Sequence, residues 1–300
     1  MKVLIAGGSG LIGRALTDYL LMRNIEVTWL VRKPVSYHNI NVFTWQPEKN
    51  EMDAGALNGV DAIINLAGAG IADKPWTTRR KNEILKSRLD AVNTLLHFLL
   101  NTKHKVQSFV NASAIGIYGN QNILHLTENQ INDSSDFLAT TCNLWENAAK
   151  QIETAGINTA ILRIGIVISK QGGFLKELLL PFRFKMATVF ANGKMIVSWI
   201  HITDLCAMFL FAIEHKLNGI YNAVAPDPAT NFNLIKTISE FEKPFLTISV
   251  PKFALHLLLG QRIEMLLQRA HISSAKIERA GFKFEFAHVG EAIKKELRSA

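Results

Sequence analysis

Three glycines near the start of the chain have the spacing of a phosphate-binding turn. The apolar residues 3–5 lead into Gly7, Gly10 and Gly13, and a helical pattern follows. In a strand-turn-helix unit, the first glycine permits the sharp bend, the second lets the backbone approach a pyrophosphate, and the third allows close packing. The stretch therefore predicts a dinucleotide site at a helix N-terminus, and a purely structural turn is the alternative. The residues expected to contact the dinucleotide here are Gly7, Ser9, Gly10, Leu11, Ile12 and Gly13.

The end of the second predicted strand carries cations and lacks an acidic residue. It reads Trp-Leu-Val-Arg-Lys over residues 29–33. In dinucleotide folds, an acidic side chain at this place holds the ribose 2′-hydroxyl of NAD, whereas an arginine accommodates the 2′-phosphate of NADP. A guanidinium also matches the forked geometry of a phosphate better than an ammonium does. Arg32 therefore predicts NADP(H), and an arginine that only extends from a strand end is the alternative.

Composition narrows the class of protein. With 300 residues, of which 48% are hydrophobic and 19% charged, the chain is expected to form one large or two closely packed domains. The net charge is +8, but the longest basic run is residues 79–81, which favours a small anionic ligand over nucleic acid.

The cysteine content and the hydropathy predict the compartment. Cys142 and Cys206, the two cysteines, form neither a disulfide framework nor a metal-binding spacing. No apolar stretch reaches the roughly 18 residues that a membrane helix needs. We therefore expect a cytoplasmic protein without a metal site and without a membrane partner.

Strand-like and helix-like segments alternate through the first half of the chain. The predicted strands in this half are 25–31, 59–65, 106–112 and 158–164, the predicted helices are 11–22, 77–101 and 142–155, and 219–224 is predicted as a later strand of the same sheet. This alternation predicts an α/β protein with a doubly wound parallel sheet of the Rossmann type. The pattern changes after residue 168, where two glycines interrupt it. The expected Rossmann domain is 1–168, continued by about 197–226, and segments 169–196 and 227–300 form a smaller, mostly helical substrate-side region.

Several further motifs occur in a recognisable order along nearly the whole chain. They are Asn-Leu-Ala-Gly at 65–68, Ser-Ala-Ile-Gly-Ile-Tyr-Gly at 113–119, Trp-Glu at 145–146, Trp-Ile-His-Ile-Thr-Asp at 199–204 and Asn-Ala-Val-Ala-Pro at 222–226. With the glycine turn, they resemble the atypical short-chain dehydrogenase/reductases, and in particular the NAD-dependent epimerase/dehydratase-like branch that has a small C-terminal domain. The resemblance implies an NADP(H)-binding oxidoreductase or epimerase-like protein acting on a nucleotide sugar or another small carbonyl or hydroxyl compound.

The same resemblance implies further cofactor contacts. Leu66, Ala67 and Gly68 are expected to cover the dinucleotide, and Val167 is expected near its nicotinamide end. Glu83 and Arg88 on the next helix are expected to approach it, with an ordinary ion pair to a neighbour as the alternative for each.

The usual catalytic pair of the superfamily is missing. Tyrosine and lysine, four residues apart, normally exchange a proton with the substrate, but the expected window 136–146 contains neither. Alignment on Glu146 places Leu138 and Cys142 in their positions. The candidate replacements are Ser113, where the resemblance places a substrate-polarising hydroxyl, and Tyr118. A turn-capping role for Ser113 and a packing role for Tyr118 are the alternatives.

Two functions therefore stay open. The first is an NADP(H)-dependent oxidoreductase or epimerase-like enzyme with a nonstandard acid or base. His201 and Asp204 are further candidates for that group, and capping of a helix start by Asp204 or Thr203 is the alternative. The second is a catalytically weak NADP(H)-binding sensor or interaction protein. A small-molecule substrate is expected, and oligomerisation stays open.

Overall fold

The structure is a computed structural model that describes residues 1–119, 125–130, 136–190, 192–261 and 271–298. The strands are β1 (Lys2–Ala6), β2 (Glu26–Val31), β3 (Asn41–Gln46), β4 (Glu51–Met52), β5 (Ala62–Asn65), β6 (Ser108–Ala114), β7 (His125–Leu126), β8 (Asn158–Ile164), β9 (Ile166–Ile168), β10 (Met186–Phe190), β11 (Ile196–Val197), β12 (Trp199–His201), β13 (Gly219–Ala223), β14 (Ala229–Thr230), β15 (Leu246–Val250) and β16 (His271–Ile272). The helices are α1 (Leu11–Leu21), α2 (Thr78–Asn101), α3 (Phe137–Lys150), α4 (Gly173–Leu179), α5 (Ile202–Glu214), α6 (Asn231–Glu242), α7 (Lys252–Leu259), α8 (Ala275–Arg279) and α9 (Val289–Arg298).

The central sheet has the strand order β13-β8-β6-β5-β1-β2-β3-β4. Its strands are parallel except β4, which runs antiparallel to β3. Residues 3–5 of β1 are completely buried, as expected for a strand with helices on both faces. The strand order reverses at β1, and ligands of such sheets bind at this point, beyond the carboxyl ends of the strands. The predicted doubly wound α/β fold is confirmed.

One helix begins earlier than its apolar spacing predicts. The predicted helix 142–155 corresponds to α3, which starts at Phe137 because the side chain of Asp136 caps it by accepting a hydrogen bond from the Ala139 N–H. The helix ends at Lys150, and a 3-10 turn occupies Gln151–Ala155. The start matters for function, because it places Leu138 inside the helix.

A second apolar core lies beyond the end of β8. It contains buried residues of β9, α4, α6 and α9, including Ile168, Leu234 and Ile293. This region is helical as predicted, but it also contains a two-stranded parallel sheet of β10 and β15. The sequence of β15, Leu-Thr-Ile-Ser-Val, alternates apolar and polar residues as a half-buried strand does, but four of its five residues are exposed. The domain boundaries stay a prediction. None of the helices in the described part of the chain is both long enough and apolar enough to cross a bilayer.

Candidate functional site

The glycine turn has the shape that a pyrophosphate requires. Gly7 has a φ of +83°, and a Cβ there would lie 3.0 Å from the backbone of Leu66 and Ala67. A Cβ at Gly13 would lie 2.4 Å from the carbonyl oxygen of Gly8, so helix and strand could not pack as they do. In contrast, a Cβ at Gly10 would meet only the Gly7 oxygen, at 3.5 Å. The turn is therefore closely packed at Gly7 and Gly13, and it leaves open space next to Gly10.

The N-terminus of α1 offers backbone donors to that space. No side chain caps the helix at Gly10, and the Gly10 N–H itself bonds to the Gly7 oxygen. The next amides, at Leu11, Ile12 and Gly13, lie in the first turn of the helix, where N–H groups have no intrahelical acceptor. Ser9 is exposed beside them. These groups fit the phosphates of a dinucleotide, since N–H donors and the positive end of a helix dipole favour negative charge.

An aromatic pair lies beneath the turn. A Cβ at Gly8 would lie 2.4 Å from the Trp29 ring, so only glycine fits there. The Trp29 indole N–H donates to Thr17 at 2.7 Å, and Tyr37 stacks on the indole with 4.6 Å between ring centroids. Sequence reasoning missed Gly8, although a fourth glycine in the turn facing a tryptophan on β2 was the available signal.

Arg32 lies where the sequence predicts, directly after the last residue of β2. It is exposed, and among the described residues it forms no ion pair. Glu83 is close enough for Arg32 to contribute to the lowering of its pKa, but the first cause is the hydrogen bond from Arg80. The Arg80–Glu83 ion pair measures 2.8 Å. Glu83 is thus engaged by a neighbour, whereas the Arg32 guanidinium extends from the edge where ligands bind.

The loop after β5 lies against the glycine turn. The Leu66 N–H donates to the Ala6 oxygen at 2.8 Å, and the Ala67 N–H donates to the Asn65 side chain at 3.2 Å. Gly68 faces Arg88, since a Cβ there would lie 3.1 Å from the guanidinium carbon. The structure therefore brings Leu66, Ala67, Gly68 and Arg88 together.

A segment of residues 169–173, here called the strap, lies over the start of α1. Val167 lies in β9, which pairs with β12 so that Val167 is opposite Ile200. The chain then returns to the glycine turn, and a Cβ at Gly172 would lie 3.3 Å from the Leu11 side chain. The strap, residues 169–173, therefore covers Leu11. Sequence reasoning identified the break at Gly172 but missed this contact.

Ser113 belongs to a buried ionic cluster. Its hydroxyl donates to Glu146 Oε1 at 2.7 Å. The same carboxylate accepts two hydrogen bonds from Arg163, from Nε and Nη2, each at 2.9 Å. The side chains of Arg163 and Glu146 are 0% and 3% exposed, so this charge pair is almost fully removed from water.

Tyr118 extends the same cluster. Its hydroxyl donates to Asn222 Oδ1 at 2.6 Å and accepts from Arg163 Nη1 at 2.9 Å. Burial raises the pKa of the phenol, while Arg163 and Asn222 act to lower it. Asn222 is held in turn by Glu128, whose carboxylate accepts the Asn222 N–H at 2.9 Å. Both predicted catalytic hydroxyls are thus donors inside one buried polar cluster, and their catalytic role stays a prediction.

Leu138 and Cys142 lie beside the 3-10 turn Ile115–Tyr118 that follows β6. A Cβ at Gly116 would lie 3.2 Å from the Leu138 Cβ and 3.9 Å from the Cys142 Sγ. Burial raises the pKa of Cys142 to about 12, so the thiol is protonated at neutral pH. The positions aligned with the usual pair therefore hold an aliphatic side chain and an unreactive thiol.

His201 and Asp204 connect the C-terminal region to the sheet. The ring of His201 caps α5 by accepting the Thr203 N–H, and its other nitrogen bonds to Glu296 at 3.0 Å. Asp204 accepts the N–H groups of Glu285 and Phe286 at 2.8 and 3.0 Å. The expected capping by Asp204 or Thr203 is therefore wrong: the side chain of His201 caps α5, and Asp204 anchors the segment before α9.

Comparison with known proteins defines the class. Residues 3–223 match the NAD dependent epimerase/dehydratase family, and residues 250–296 match the Domain of unknown function (DUF1731). An epimerase family protein of Mycobacterium leprae is 33% identical over 298 residues, which cover 97% of this chain and 94% of that relative. The chain therefore belongs to the NAD dependent epimerase/dehydratase family, whose fold binds NAD(P).

Solved structures show the same fold. The human epimerase family protein SDR39U1 (isoform 2), solved with NADPH, has a TM-score of 0.90 and 27% identity, with 100% of both chains covered. The UDP-glucose 4-epimerase of Thermus thermophilus, solved with NAD, has a TM-score of 0.77 and 18% identity, also over 100% of both chains. The expected resemblance to epimerase-family short-chain dehydrogenase/reductases is thus confirmed.

Proposed function

We propose that the protein binds NADP(H) and catalyses hydride transfer involving a small carbonyl or hydroxyl compound such as a nucleotide sugar. The observation that carries the cofactor choice is Arg32 at the end of β2. This cation, which forms no ion pair within the described part of the chain, stands where NAD-binding relatives of the fold place a carboxylate. Its guanidinium can grip a 2′-phosphate. NADPH in the human relative's structure supports the same choice.

The chain's own residues have distinct parts in this proposal. The amides of the first turn of α1 hold the pyrophosphate, and Arg32 holds the 2′-phosphate. The strap across Leu11 limits access of water to the bound dinucleotide. When bound, the nicotinamide supplies or accepts the hydride. The proposed partner is a small molecule rather than nucleic acid or a membrane, and the proposed compartment is the cytoplasm.

A charge-reversal variant tests the cofactor choice. Arg32→Asp should weaken NADPH binding by about tenfold or more, roughly 1.4 kcal/mol, and leave NADH binding nearly unchanged. Arg23→Asp is the matched control, because Arg23 is exposed just past the opposite end of α1. Fluorescence titration of both nucleotides measures the effect. Equal losses for NADPH and NADH, or no loss for NADPH, would contradict the assignment.

A second function, a catalytically weak NADP(H)-binding sensor, is favoured by one observation. Leu138 and Cys142 occupy the positions of the usual proton relay, and the phenol of Tyr118 already donates to Asn222. The two functions differ in turnover. If the protein is an enzyme that relays protons through Tyr118, Tyr118→Phe abolishes substrate-dependent NADPH oxidation while NADPH affinity stays unchanged. Full activity in that variant removes Tyr118 from the mechanism. A sensor binds NADPH and oxidises it with none of a panel of nucleotide sugars and small carbonyl compounds.

A further inference from the structure

One carboxylate connects the strap to the C-terminal helix. Glu296 lies in α9 three residues after the completely buried Ile293, so both side chains are on the inward side of that helix. One oxygen of the carboxylate accepts a hydrogen bond from the backbone N–H of Lys170 in the strap. The other oxygen bonds to His201 Nε2 at 3.0 Å. Glu296 therefore joins the strap, the start of α5 and α9 at one point.

The two hydrogen bonds of His201 fix the position of its ring proton. Nδ1 accepts the Thr203 N–H at 3.2 Å, so the proton is on Nε2 and is donated to Glu296. The side chains of His201 and Glu296 are 1% and 13% exposed, so this bond is shielded from water. Hydrogen bonds to a carboxylate are about twice as strong as those between neutral groups, and a low local dielectric strengthens them further.

The strap is packed at both ends and exposed in its middle. Ile168, directly before it in β9, is completely buried and is opposite His201 in β12. Leu175, which follows it in α4, is also completely buried. Lys170 and Gln171 between them are exposed. The bond from Glu296 therefore reaches the strap where the strap's own side chains bury little surface.

The far end of the strap contacts the helix that is proposed to hold the pyrophosphate. A Cβ at Gly172 would lie 3.3 Å from the Leu11 side chain, and a Cβ at Gly173 would lie 3.5 Å from it. The Leu11 N–H is one of the first-turn amides that face the space next to Gly10. The strap therefore borders the dinucleotide site, and its displacement would open a route by which a bound dinucleotide could leave.

We propose that Glu296 is a positioning residue that holds the strap closed beside the dinucleotide, and that dinucleotide release requires the bond between Glu296 and Lys170 to open. This role of Glu296 rests on the proposed function for the identity of the ligand. It gives α9, at the end of the segment that matches the Domain of unknown function, a part in retaining the cofactor.

Trypsin cleavage after Lys170 under native conditions reports on the strap without any cofactor. Glu296→Ala removes both acceptor oxygens. Cleavage at Lys170, followed by mass spectrometry, should become about tenfold faster or more, because losing a hydrogen bond to a charged group changes the opening equilibrium by at least that factor. Glu291→Ala is the matched control, since Glu291 is exposed on the same helix, and it should leave the rate unchanged.

Cleavage at Lys86 in the same digests separates a released strap from general unfolding. Lys86 lies well inside α2, so trypsin cuts there only when that helix opens. Glu296→Ala should accelerate cleavage at Lys170 far more than cleavage at Lys86. Equal acceleration at the two sites, or an unchanged rate at Lys170, would overturn the proposal.

The dissociation rate of NADPH, measured by stopped-flow displacement, tests the consequence for the cofactor. It should rise about tenfold in Glu296→Ala and stay unchanged in Glu291→Ala, and NADPH should slow cleavage at Lys170 in the wild type. Faster cleavage at Lys170 with an unchanged NADPH dissociation rate would contradict a role of the strap in retention. If the wild type binds no NADPH, the proposed function fails, while the digestion without cofactor still reports on the bond from Glu296 to the strap.

Discussion

Removing the Glu146 carboxylate tests the buried cluster that holds Ser113 and Tyr118. Glu146→Ala leaves the Arg163 guanidinium, which is 0% exposed, without its two hydrogen bonds of 2.9 Å and without its counter-charge. Loss of one partner of a buried ion pair costs about 3–5 kcal/mol. The Ser113 hydroxyl also loses its acceptor. We therefore expect the free energy of unfolding to fall by at least about 3 kcal/mol.

Urea unfolding at neutral pH without cofactor, followed by tryptophan fluorescence and circular dichroism, measures this loss. Glu153→Ala is the matched control, since Glu153 is an exposed glutamate just after the same helix, and its effect should stay within about 0.5 kcal/mol. The double variant Glu146→Ala/Arg163→Met should be more stable than Glu146→Ala alone, because it removes the orphaned charge. A cost below about 1 kcal/mol for Glu146→Ala would refute the interpretation of the pair as a desolvated, mutually dependent unit.

Three further outcomes are expected. Gly13→Ala should destabilise the protein by about 1–3 kcal/mol, because the new Cβ would overlap Gly8. In contrast, Gly10→Ala should leave the unfolding midpoint nearly unchanged and weaken NADPH binding. Equal midpoints for the two variants would contradict the geometry of the turn. Cys142, with a pKa raised to about 12 by burial, should not react with a thiol reagent in the native protein at neutral pH, and rapid labelling before unfolding would show that it is accessible. For Glu296, burial acts to raise the pKa of the carboxyl group. Hydrogen bonds from His201 and the Lys170 N–H lower that pKa by more than burial raises it, so the net pKa is below the ordinary 4.5. The stabilising contribution of the Glu296 carboxylate is therefore present above pH 4.5 and disappears as the pH falls through its folded-state pKa. The stability of Glu296→Gln should depend less on pH in acid unfolding than the stability of the wild type. Parallel stability profiles for the two proteins would contradict this expectation.

The dinucleotide side of the site is predictable from sequence because its signals are local. Gly7, Gly10 and Gly13 lie within one turn, and Arg32 follows directly from the end of a recognisable strand. The doubly wound parallel sheet follows from the alternation of strands and helices, since handedness and crossover rules leave few arrangements. The strand β15 has the alternation of apolar and polar residues that predicts a strand, but four of its five residues are exposed, so the sequence does not indicate how little of it is buried.

The polar cluster around Arg163 is not predictable from a single sequence. Ser113 and Glu146 are 33 residues apart, and Tyr118 and Asn222 are 104 residues apart. A hydroxyl in a strand-end motif gives no indication of whether it faces the substrate or a buried carboxylate. The family resemblance places both Glu83 and Arg88 near the cofactor. Only the structure shows that Glu83 is paired with Arg80, whereas Arg88 has no carboxylate partner among the described residues.

The ratio of the dissociation constants of NADPH and NADH for the wild-type protein tests the central claim most directly. The two nucleotides differ only at the 2′-position, so the ratio isolates the phosphate that Arg32 is proposed to bind. We expect NADPH to bind at least about tenfold more tightly than NADH, which corresponds to roughly 1.4 kcal/mol. Equal affinities, or tighter binding of NADH, would contradict the assignment of this protein as an NADP(H)-binding member of its family.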